Sequence, residues 1–525
     1  MNHRRHSGVM ANVAKVVMMD TPDKIGTSAS CPIDLIEDQH NATLSTQSLP
    51  DVVSEEDEIS VVTLTQRPVI VSIEGVTGVG KTELLELLSH RYQDSPDVVV
   101  LMEPSLSWEQ FTVNGRHLLD LSYHDPRRYG FIFQLVYFLA VERQLQEALI
   151  QHAEKRVIIC ERSLLSARTV YTELIPELDR IRYEVYQTLF LKEGVGDVYP
   201  NHIILLDAEP INCVGRIERN NWRGEQIINL EYLQRCRSLH LEMKGRHSGT
   251  WSTIYGHPDE VGERLDRILR IVDRITPMTT EVRDPELETK VMSIEGNIGA
   301  GKSTFLNEIE QTIKNRRMNG IRVLKEPVDE WEKITDGSRT ILELFYGHPA
   351  EYGFPLQVLV GITTLRRIQR ELSDYPDTEL ILSERSILSS KLVFAKMLLH
   401  DGFMDEMEEE VYQMIFDNMP TWLVPKMMLY LNTKTEICLD RIGNRNRRGE
   451  NRITEEQLGR CETYHQIMFE GTGINWKTID MDHEKSGGVK DWVDIVIRWC
   501  QQVIRREDSS VSQTETVSTA DGENL

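Results

Sequence analysis

The chain carries one phosphate-binding motif twice. Gly75-Val76-Thr77-Gly78-Val79-Gly80-Lys81-Thr82 and Gly296-Asn297-Ile298-Gly299-Ala300-Gly301-Lys302-Ser303 both satisfy G-x-x-x-x-G-K-[ST]. Each follows an apolar run of strand type, Val69 to Ile73 and Val291 to Ile294. Each leads into a helical pattern, Leu84, Leu85, Leu87 and Leu88 in the first copy and Phe305, Leu306 and Ile309 in the second. Strand, glycine loop and helix in that order let successive backbone N–H groups wrap phosphate oxygens. The lysine then reaches the terminal phosphates and the Thr or Ser hydroxyl faces Mg²⁺. ATP and Mg²⁺ are therefore the expected ligands, at Gly75, Gly78, Gly80, Lys81 and Thr82 and at Gly296, Gly299, Gly301, Lys302, Ser303 and Thr304.

Downstream of each loop the sequence stays in register with itself. Lys81 and Lys302 are 221 apart, while Glu103/Glu326, Gln134/Gln357 and Glu161/Glu384 are each 223 apart. Cys213/Cys438, Arg216/Arg441 and Cys236/Cys461 are each 225 apart. Two small insertions account for that drift, so the repeat is a whole duplicated domain. Apolar strand candidates fall at 68–74, 97–102, 156–160, 202–207 and 251–255, and again at 290–295, 321–325, 379–383, 426–431 and 475–480, with helical periodicity between them. Alternation of that kind predicts the α/β class: two tandem P-loop domains, each a parallel five-stranded sheet with helices on both faces. The expected limits are an acidic disordered arm over 1–66, domains over 67–276 and 289–506, a linker over 277–288 and a disordered tail over 507–525. Each domain closes on a helix, 258–276 with Leu265, Ile268, Leu269, Val272 and Ile275 as its stripe, and 488–505.

Charge and composition narrow the function. The net charge of −24 argues against a nucleic-acid surface, although a local basic pocket can still hold a small anion. The seven cysteines form no C-x-x-C pair, which argues against a zinc site. No apolar run reaches the roughly 18 residues of a membrane span. A cytoplasmic protein is expected. Arg4, Arg5 and Lys15 in an acid-free first stretch leave a mitochondrial presequence as the alternative.

The remaining repeated residues point to phosphoryl transfer. The second strand of each unit ends in Glu-Pro, with Trp five residues after the Glu: Glu103-Pro104 with Trp108, and Glu326-Pro327 with Trp331. A carboxylate there faces the same cleft as the loop. Tyr123 and Gln134, with Phe133, recur as Tyr346 and Gln357, with Leu356, both pairs eleven residues apart on what reads as one helical stretch. An amide in that position suits a base edge. The third strand ends Glu161-Arg162-Ser163 and Glu384-Arg385-Ser386, which sets a Glu near Mg²⁺ and an Arg near the reacting oxygens. Arginines cluster after the fourth strand: Arg441, Arg445, Arg447 and Arg448 before Glu450, and Arg216, Arg219 and Arg223 before Glu225. Mobile arginines over a γ-phosphate supply the charge stabilisation that phosphoryl transfer needs.

These strings together resemble the deoxynucleoside kinase family, which includes deoxycytidine and deoxyguanosine kinases, the mitochondrial thymidine kinase and the insect broad-specificity enzyme. The resemblance rests on I-E-G-N-I-G-A-G-K-S-T over Ile294 to Thr304, then K-E-P-V-x-x-W, S-E-R-S and the arginine lid, and it covers 68–276 and 290–505. It implies that Glu326 is the general base for the nucleoside 5′-OH and that Arg385 holds it. It gives Tyr346 and Glu450 to the sugar 3′-OH, Gln357 to the base, Glu384 and Ser303 to the metal, and Arg441, Arg445 and Arg447 to the lid. The matching residues of the first unit are Glu103, Arg162, Tyr123, Glu225, Gln134, Phe133, Glu161, Thr82 and Arg216. Family members pair as homodimers of single-domain chains, so the resemblance also implies that the two units pack as an intramolecular pseudo-dimer.

Two departures stand out. In the first unit the second and third lid arginines fall on Asn220 and Trp222, and a slip of one residue turns a side chain by about 100°; weaker chemistry or a changed lid is expected there. In the second unit Leu356 replaces the usual aromatic base stacker and Gln457 a tyrosine, so a looser base pocket is expected. Relatives that prefer deoxycytidine or purines carry an Arg seven residues after the base-reading Gln and an Asp six after the Glu of E-R-S. Val141 and Ala167, and Thr364 and Ser390, stand there instead and favour pyrimidine deoxynucleosides, thymidine first. The expected role is ATP-dependent nucleoside salvage for DNA synthesis, with the second unit the main site. The alternatives are a thymidylate kinase, which shares loop and sheet but lacks the Glu-Pro base, and a first unit that binds nucleotide without turnover.

Overall fold

The computed structural model describes residues 63–175, 178–190, 198–220, 228–247, 249–276, 278–282, 290–417, 421–481 and 489–505. The expected arm up to residue 62, the tail from 506 and Glu225 lie outside the described residues.

Each unit is built on a five-stranded, wholly parallel sheet. The first contains β2 (Val69–Glu74), β3 (Val98–Leu101), β6 (Val157–Glu161), β7 (His202–Asp207) and β8 (Thr250–Tyr255), in the order β3-β6-β2-β7-β8, while β4 (Thr112–Val113) and β5 (Arg116–His117) pair apart from it as a short hairpin. The second contains β10 (Lys290–Gly296), β11 (Ile321–Leu324), β12 (Leu380–Glu384), β13 (Met427–Asn432) and β14 (Trp476–Asp480), in the matching order β11-β12-β10-β13-β14. The strand leading into each phosphate loop is thus central, and the order reverses beside it. Ligands in open α/β sheets bind at the carboxyl ends of strands at that point.

The central strands are apolar on both faces, as strands covered on both sides must be. Their side chains alternate between separate cores. Val71, Ile73 and Ile159 pack with Leu84, Leu88 and Val272, from the loop helix and the closing helix. Ile70, Ile158 and Cys160 pack with Phe131, Leu135 and Phe138. The sheet is therefore clothed by helices on both faces, Lys81–Tyr92 and Val261–Val272 on one side and Pro126–Gln151 on the other.

The second of these cores does not stop at the unit boundary. It runs on through Leu344, Phe354, Tyr412 and Phe416 of the second unit. The Pro126–Gln151 helix packs on Glu406–Asp417, and the Pro349–Asp374 helix packs on Arg180–Thr188. Phe131 and Phe354, equivalent residues of the two units, meet edge to face with centroids 5.8 Å apart. An aromatic contact of this kind is worth about 0.5–1.5 kcal/mol beyond its area.

Two expectations need correction. The expected arm includes residues 63–66, and the expected linker, 277–288, carries no element. Instead β1 (Thr63–Arg67) pairs antiparallel with β9 (Met278–Val282) as a ribbon that ties the entry of the first unit to its exit. Threonines in both segments suit a strand, but their pairing is non-local and has no sequence period of its own. The tyrosine and glutamine also do not share a helix. Tyr123 lies in Leu118–His124 and Gln134 in Pro126–Gln151, with Tyr346 and Gln357 divided in the same way between Ile341–Gly347 and Pro349–Asp374. Proline excludes the helical conformation from the residue before it, and Asp125 and His348 sit at φ −136° and −142°.

Candidate active site

Both loops need their glycines. Gly78 and Gly299 have φ of 79° and 81°, and a Cβ there would lie 2.8 Å from the Cys213 carbonyl and 2.5 Å from the Cys438 carbonyl. The repeated cysteines are therefore the floor under each loop. Lys81 donates to the carbonyls of Gly75 and Val76 at 3.0 and 3.1 Å, and Lys302 to those of Gly296 and Asn297 at 3.2 and 2.8 Å. Burial, with Arg385 close by, pulls the Lys302 ammonium down to about 8, and burial also lowers Lys81.

Beside each lysine a hydroxyl meets a carboxylate. Thr82 Oγ1 donates to Glu161 Oε1 at 2.9 Å and Ser303 Oγ to Glu384 Oε1 at 2.8 Å. Burial pushes Glu161 up, and repulsion from Glu103 adds to it. Oxygen-only donors next to a phosphate loop fit Mg²⁺.

The Glu-Pro and Glu-Arg-Ser motifs meet in space. Arg162 Nη1 donates to Glu103 Oε1 at 2.6 Å, and Arg385 Nε donates to Glu326 Oε1 at 2.7 Å. Both arginines occupy the left-handed region, at φ 62° and 61°. Such backbone costs about 1–3 kcal/mol at a non-glycine residue and persists only where its surroundings fix it. Here the arginine N–H is held by the carbonyl of the central strand, Ile73 at 3.0 Å and Ile294 at 2.9 Å. A π-helical turn follows in each unit, Ala167–Tyr171 and Ser390–Phe394. It sets an aromatic ring against the guanidinium, Tyr171 at 4.7 Å and Phe394 at 4.6 Å. The pair is thereby held by charge, backbone and ring together.

In the second unit a cavity of about 850 Å³ gathers Gly299, Gly301, Lys302, Ser303, Thr304, Glu326, Tyr346, Gln357, Glu384, Arg385, Arg441, Arg445, Arg447 and Glu450. Burial, with Glu450 nearby, holds the Tyr346 hydroxyl above its usual range. Gln357 is buried, and its Oε1 has no hydrogen-bond partner among the described residues. The first unit's cavity, about 1670 Å³, gathers Gly78, Gly80, Lys81, Thr82, Glu103, Tyr123, Phe133, Gln134, Glu161, Arg162 and Arg216. Its Gln134 Oε1 accepts from the Tyr186 hydroxyl at 3.3 Å. Phe133 lies edge-on to Trp108 at 6.0 Å, and Tyr137 and Tyr232 also face this cavity.

The lids differ. Arg441 donates to the Ala300 carbonyl at 3.1 Å and so lies on the loop. Arg445 and Arg447 instead clamp the buried Glu450: Arg445 Nη2 lies 2.7 Å from one of its oxygens and Arg447 Nη1 3.1 Å from the other. Arg216 occupies the place of Arg441 but pairs with Glu83 and donates to the Pro258 carbonyl at 2.8 Å. Asp259 lies 3.4 Å from Arg216 and 3.5 Å from Arg219. Trp222 and Arg223 lie outside the described residues.

A buried cluster behind each loop escaped the sequence reading. Ser163 Oγ donates to Glu74 Oε1 at 2.5 Å, and the Ser386 amide donates to Glu295 Oε1 at 2.9 Å. Each carboxylate ties the loop strand to the Glu-Arg-Ser turn. His240 and His465 stand 4.0 Å from these carboxylates, and burial lowers both imidazoles to about 3. The signal was present, since Glu74/Glu295 and His240/His465 keep the spacings of the other repeated pairs.

A family model described as deoxynucleoside kinase matches the chain twice, over residues 71–259 and 292–504, which together make up more than half of its length. A probable deoxycytidine kinase of fowlpox virus is 29% identical over 201 residues, 38% of this chain and 76% of that protein. The deoxycytidine kinase of Bos taurus is 30% identical over 198 residues, 34% of this chain and 74% of the relative. The mitochondrial deoxyguanosine kinase of Xenopus laevis is 29% identical over 190 residues, 32% and 70% of the two chains.

Proposed function

The chain belongs to the deoxynucleoside kinase family, and from that membership we propose that it transfers the γ-phosphoryl group of ATP to the 5′-hydroxyl of a deoxynucleoside, chiefly in its second unit. The observation that carries this reading is the Glu326–Arg385 pair, closed at 2.7 Å and open to the same cavity as Lys302, Ser303, Gln357 and Glu450. Glu326 takes the 5′-OH proton as that oxygen attacks the γ-phosphorus. The new O–P bond forms while the bond to the β–γ bridging oxygen breaks, and ADP leaves. Arg385 keeps Glu326 aimed. Lys302 and Arg441 meet the phosphate charge from the loop side. Ser303, beside Glu384, would hold Mg²⁺, which would supply charge neutralisation at the phosphate oxygens.

Tyr346 and Glu450 take the sugar 3′-OH, with Arg445 and Arg447 holding Glu450 in place. Gln357 reads the base: its unpartnered carbonyl accepts from a base N–H and its amide donates to the neighbouring oxygen. Ser390 on the cavity wall and Thr364 on the helix that carries Gln357, both neutral, support a pyrimidine with thymidine first, although the relatives' names refer to deoxycytidine and deoxyguanosine. The role that follows is salvage of deoxynucleosides for DNA synthesis. In the first unit Glu103, Arg162, Lys81, Thr82, Glu161, Tyr123 and Gln134 take the equivalent parts with weaker chemistry, because Arg216 is engaged by carboxylates. The reciprocal helix packing between units supports reading them as a pseudo-dimer in one chain.

The test is a nucleoside panel with Lys302→Ala and Lys81→Ala assayed separately, and with thymidine compared against thymidine monophosphate as acceptor. Lys302→Ala is expected to remove most turnover on nucleosides, a loss of about 10²-fold or more. Undiminished turnover, or a monophosphate as the better acceptor, overturns the assignment.

A further inference from the structure

The surface between the two units is apolar at its centre and charged at its edge, and the two parts carry different information. At the centre the units present the same residues at equivalent positions: Tyr129-Gly130-Phe131 against Tyr352-Gly353-Phe354, and Tyr186 and Phe190 against Tyr412 and Phe416. Phe131 touches its own equivalent, Phe354. Matched residues of this kind do not by themselves tell a like unit from an unlike one.

The edge does. Arg128 and Glu351 are equivalent, each two residues after the proline that opens its helix. Arg182 and Glu408 are equivalent, each two residues before a shared Glu-Val-Tyr-Gln and each donating its amide to an aspartate, Asp179 at 3.0 Å and Asp405 at 2.8 Å. At both positions the first unit carries arginine and the second a glutamate. At one corner Arg128 Nη2 lies 3.0 Å from Asp405 Oδ2, against the mutually capped Asp405 and Glu408. At the related corner Arg182 Nη2 donates to the Glu351 carbonyl at 2.8 Å, and Arg127 stands 3.7 Å from the Glu351 carboxylate.

We propose that this exchanged set of charges selects the unlike unit as partner, so that the chain closes on itself and does not join copies through like units. Two first units brought together would set Arg128 against Arg182, whose own aspartate is already engaged. Two second units would set Glu351 against Asp405 and Glu408. Like-charge juxtaposition of this sort is how an interface rejects a partner its apolar centre would accept.

The test is made in the full chain. The double variant Arg128→Glu, Arg182→Glu gives both units acidic edges. Its unfolding midpoint at low salt is expected to fall by roughly 5 °C, a shift typical for units of this size. Adding Glu351→Arg and Glu408→Arg to the same chain restores opposite charges in reversed sense and is expected to recover most of the loss. The loss should also shrink in 0.5 M salt, an ionic strength at which the screening length is only about 4–5 Å. Lost packing of the arginine stems would not be repaired by changes on the other unit. An unchanged midpoint in the double variant, or no recovery in the fourfold variant, overturns the proposal.

Discussion

The two units preserve different halves of one machinery. The first keeps aromatic side chains around its cavity, with Trp108, Phe133, Tyr137 and Tyr232 all facing it. The second has Leu356, Val360 and Gln457 where the last three stand. Gln457 is also engaged elsewhere, its Oε1 accepting from the Thr454 amide at 3.0 Å as a helix cap. The lids show the opposite balance. In the second unit Arg441 meets no carboxylate among the described residues and lies on its loop, and a buried glutamate is clamped by two arginines. The first has Arg216 paired with Glu83 and Asp259. The residue that makes the difference follows directly on the loop: Glu83 in the first unit stands where the second has Thr304. A duplicated site joined through one core can lose parts from either copy as long as the chain retains one competent centre.

The sharpest way to break this comparison is to release Arg216. Glu83→Thr gives the first unit the residue found in the second and removes the carboxylate that holds the arginine. Measured in a Lys302→Ala background, so that the second site is silent, kcat on the preferred nucleoside is expected to rise by about 10- to 100-fold, the range for one donor aimed at developing charge. An unchanged kcat would mean that the altered stretch after Asn220 limits the first unit and not the Glu83 pair.

How far the sequence revealed this arrangement depends on distance along the chain. The loops, strand ends and Glu-Arg motifs were legible because each is a local string, and the repeat doubled every signal. The Glu103–Arg162 and Glu326–Arg385 contacts were expected from the family resemblance, and the parallel sheet accounts for them, since strand ends share one edge. The left-handed backbone of Arg162 and Arg385 was not legible, because it is imposed by neighbouring strands and by the ring of Tyr171 or Phe394. The pairing of Thr63–Arg67 with Met278–Val282, and of Arg216 with Glu83, joins distant segments that have no common period. The helix break at Asp125-Pro126 was available from the proline alone, but the apolar period running through it was read as continuous.

A second test concerns the lysines. Lys302 lies at about 8 in the folded protein against an ordinary 10.5, chiefly through burial. It is charged below pH 8 and neutral above. ATP affinity at the second site is therefore expected to be flat below pH 8 and to fall by up to about tenfold for each unit above it. The effect on stability has the opposite sign. Between about 8 and 10.5 the unfolded chain holds the proton that the folded chain has lost, so this group's contribution rises with pH across that window. Calorimetric titration of ATP from pH 7 to 9.5, with Lys81→Ala to isolate the second site, checks the first statement. A constant affinity up to pH 9.5 would place the lysine in a more polar setting than its burial indicates.

The smallest expected effect tests the other half of the comparison. Leu356 is buried and lines the cavity beside Gln357, where the first unit has Phe133. Leu356→Phe adds a ring that can lie against a base, worth about 0.5–1.5 kcal/mol where the geometry is right. KM for the preferred nucleoside is expected to fall about two- to tenfold, with kcat nearly unchanged, because stacking on the base is the same in the ground and transition states. The space for the ring is not guaranteed by the cavity alone, since Trp331 on the wall is fixed by its Nε1 bond to Thr363 at 2.9 Å and cannot turn aside freely. Trp108 lacks that bond partner, because alanine stands at position 140 where the second unit has Thr363. The paired variant Leu356→Phe, Thr363→Ala therefore separates the two causes. A KM that improves only in the pair would show that the threonine anchors a pocket already reshaped for a smaller neighbour. A KM unmoved in both would show that the second unit holds its substrate through Gln357 and Glu450 and makes no use of a stacked ring.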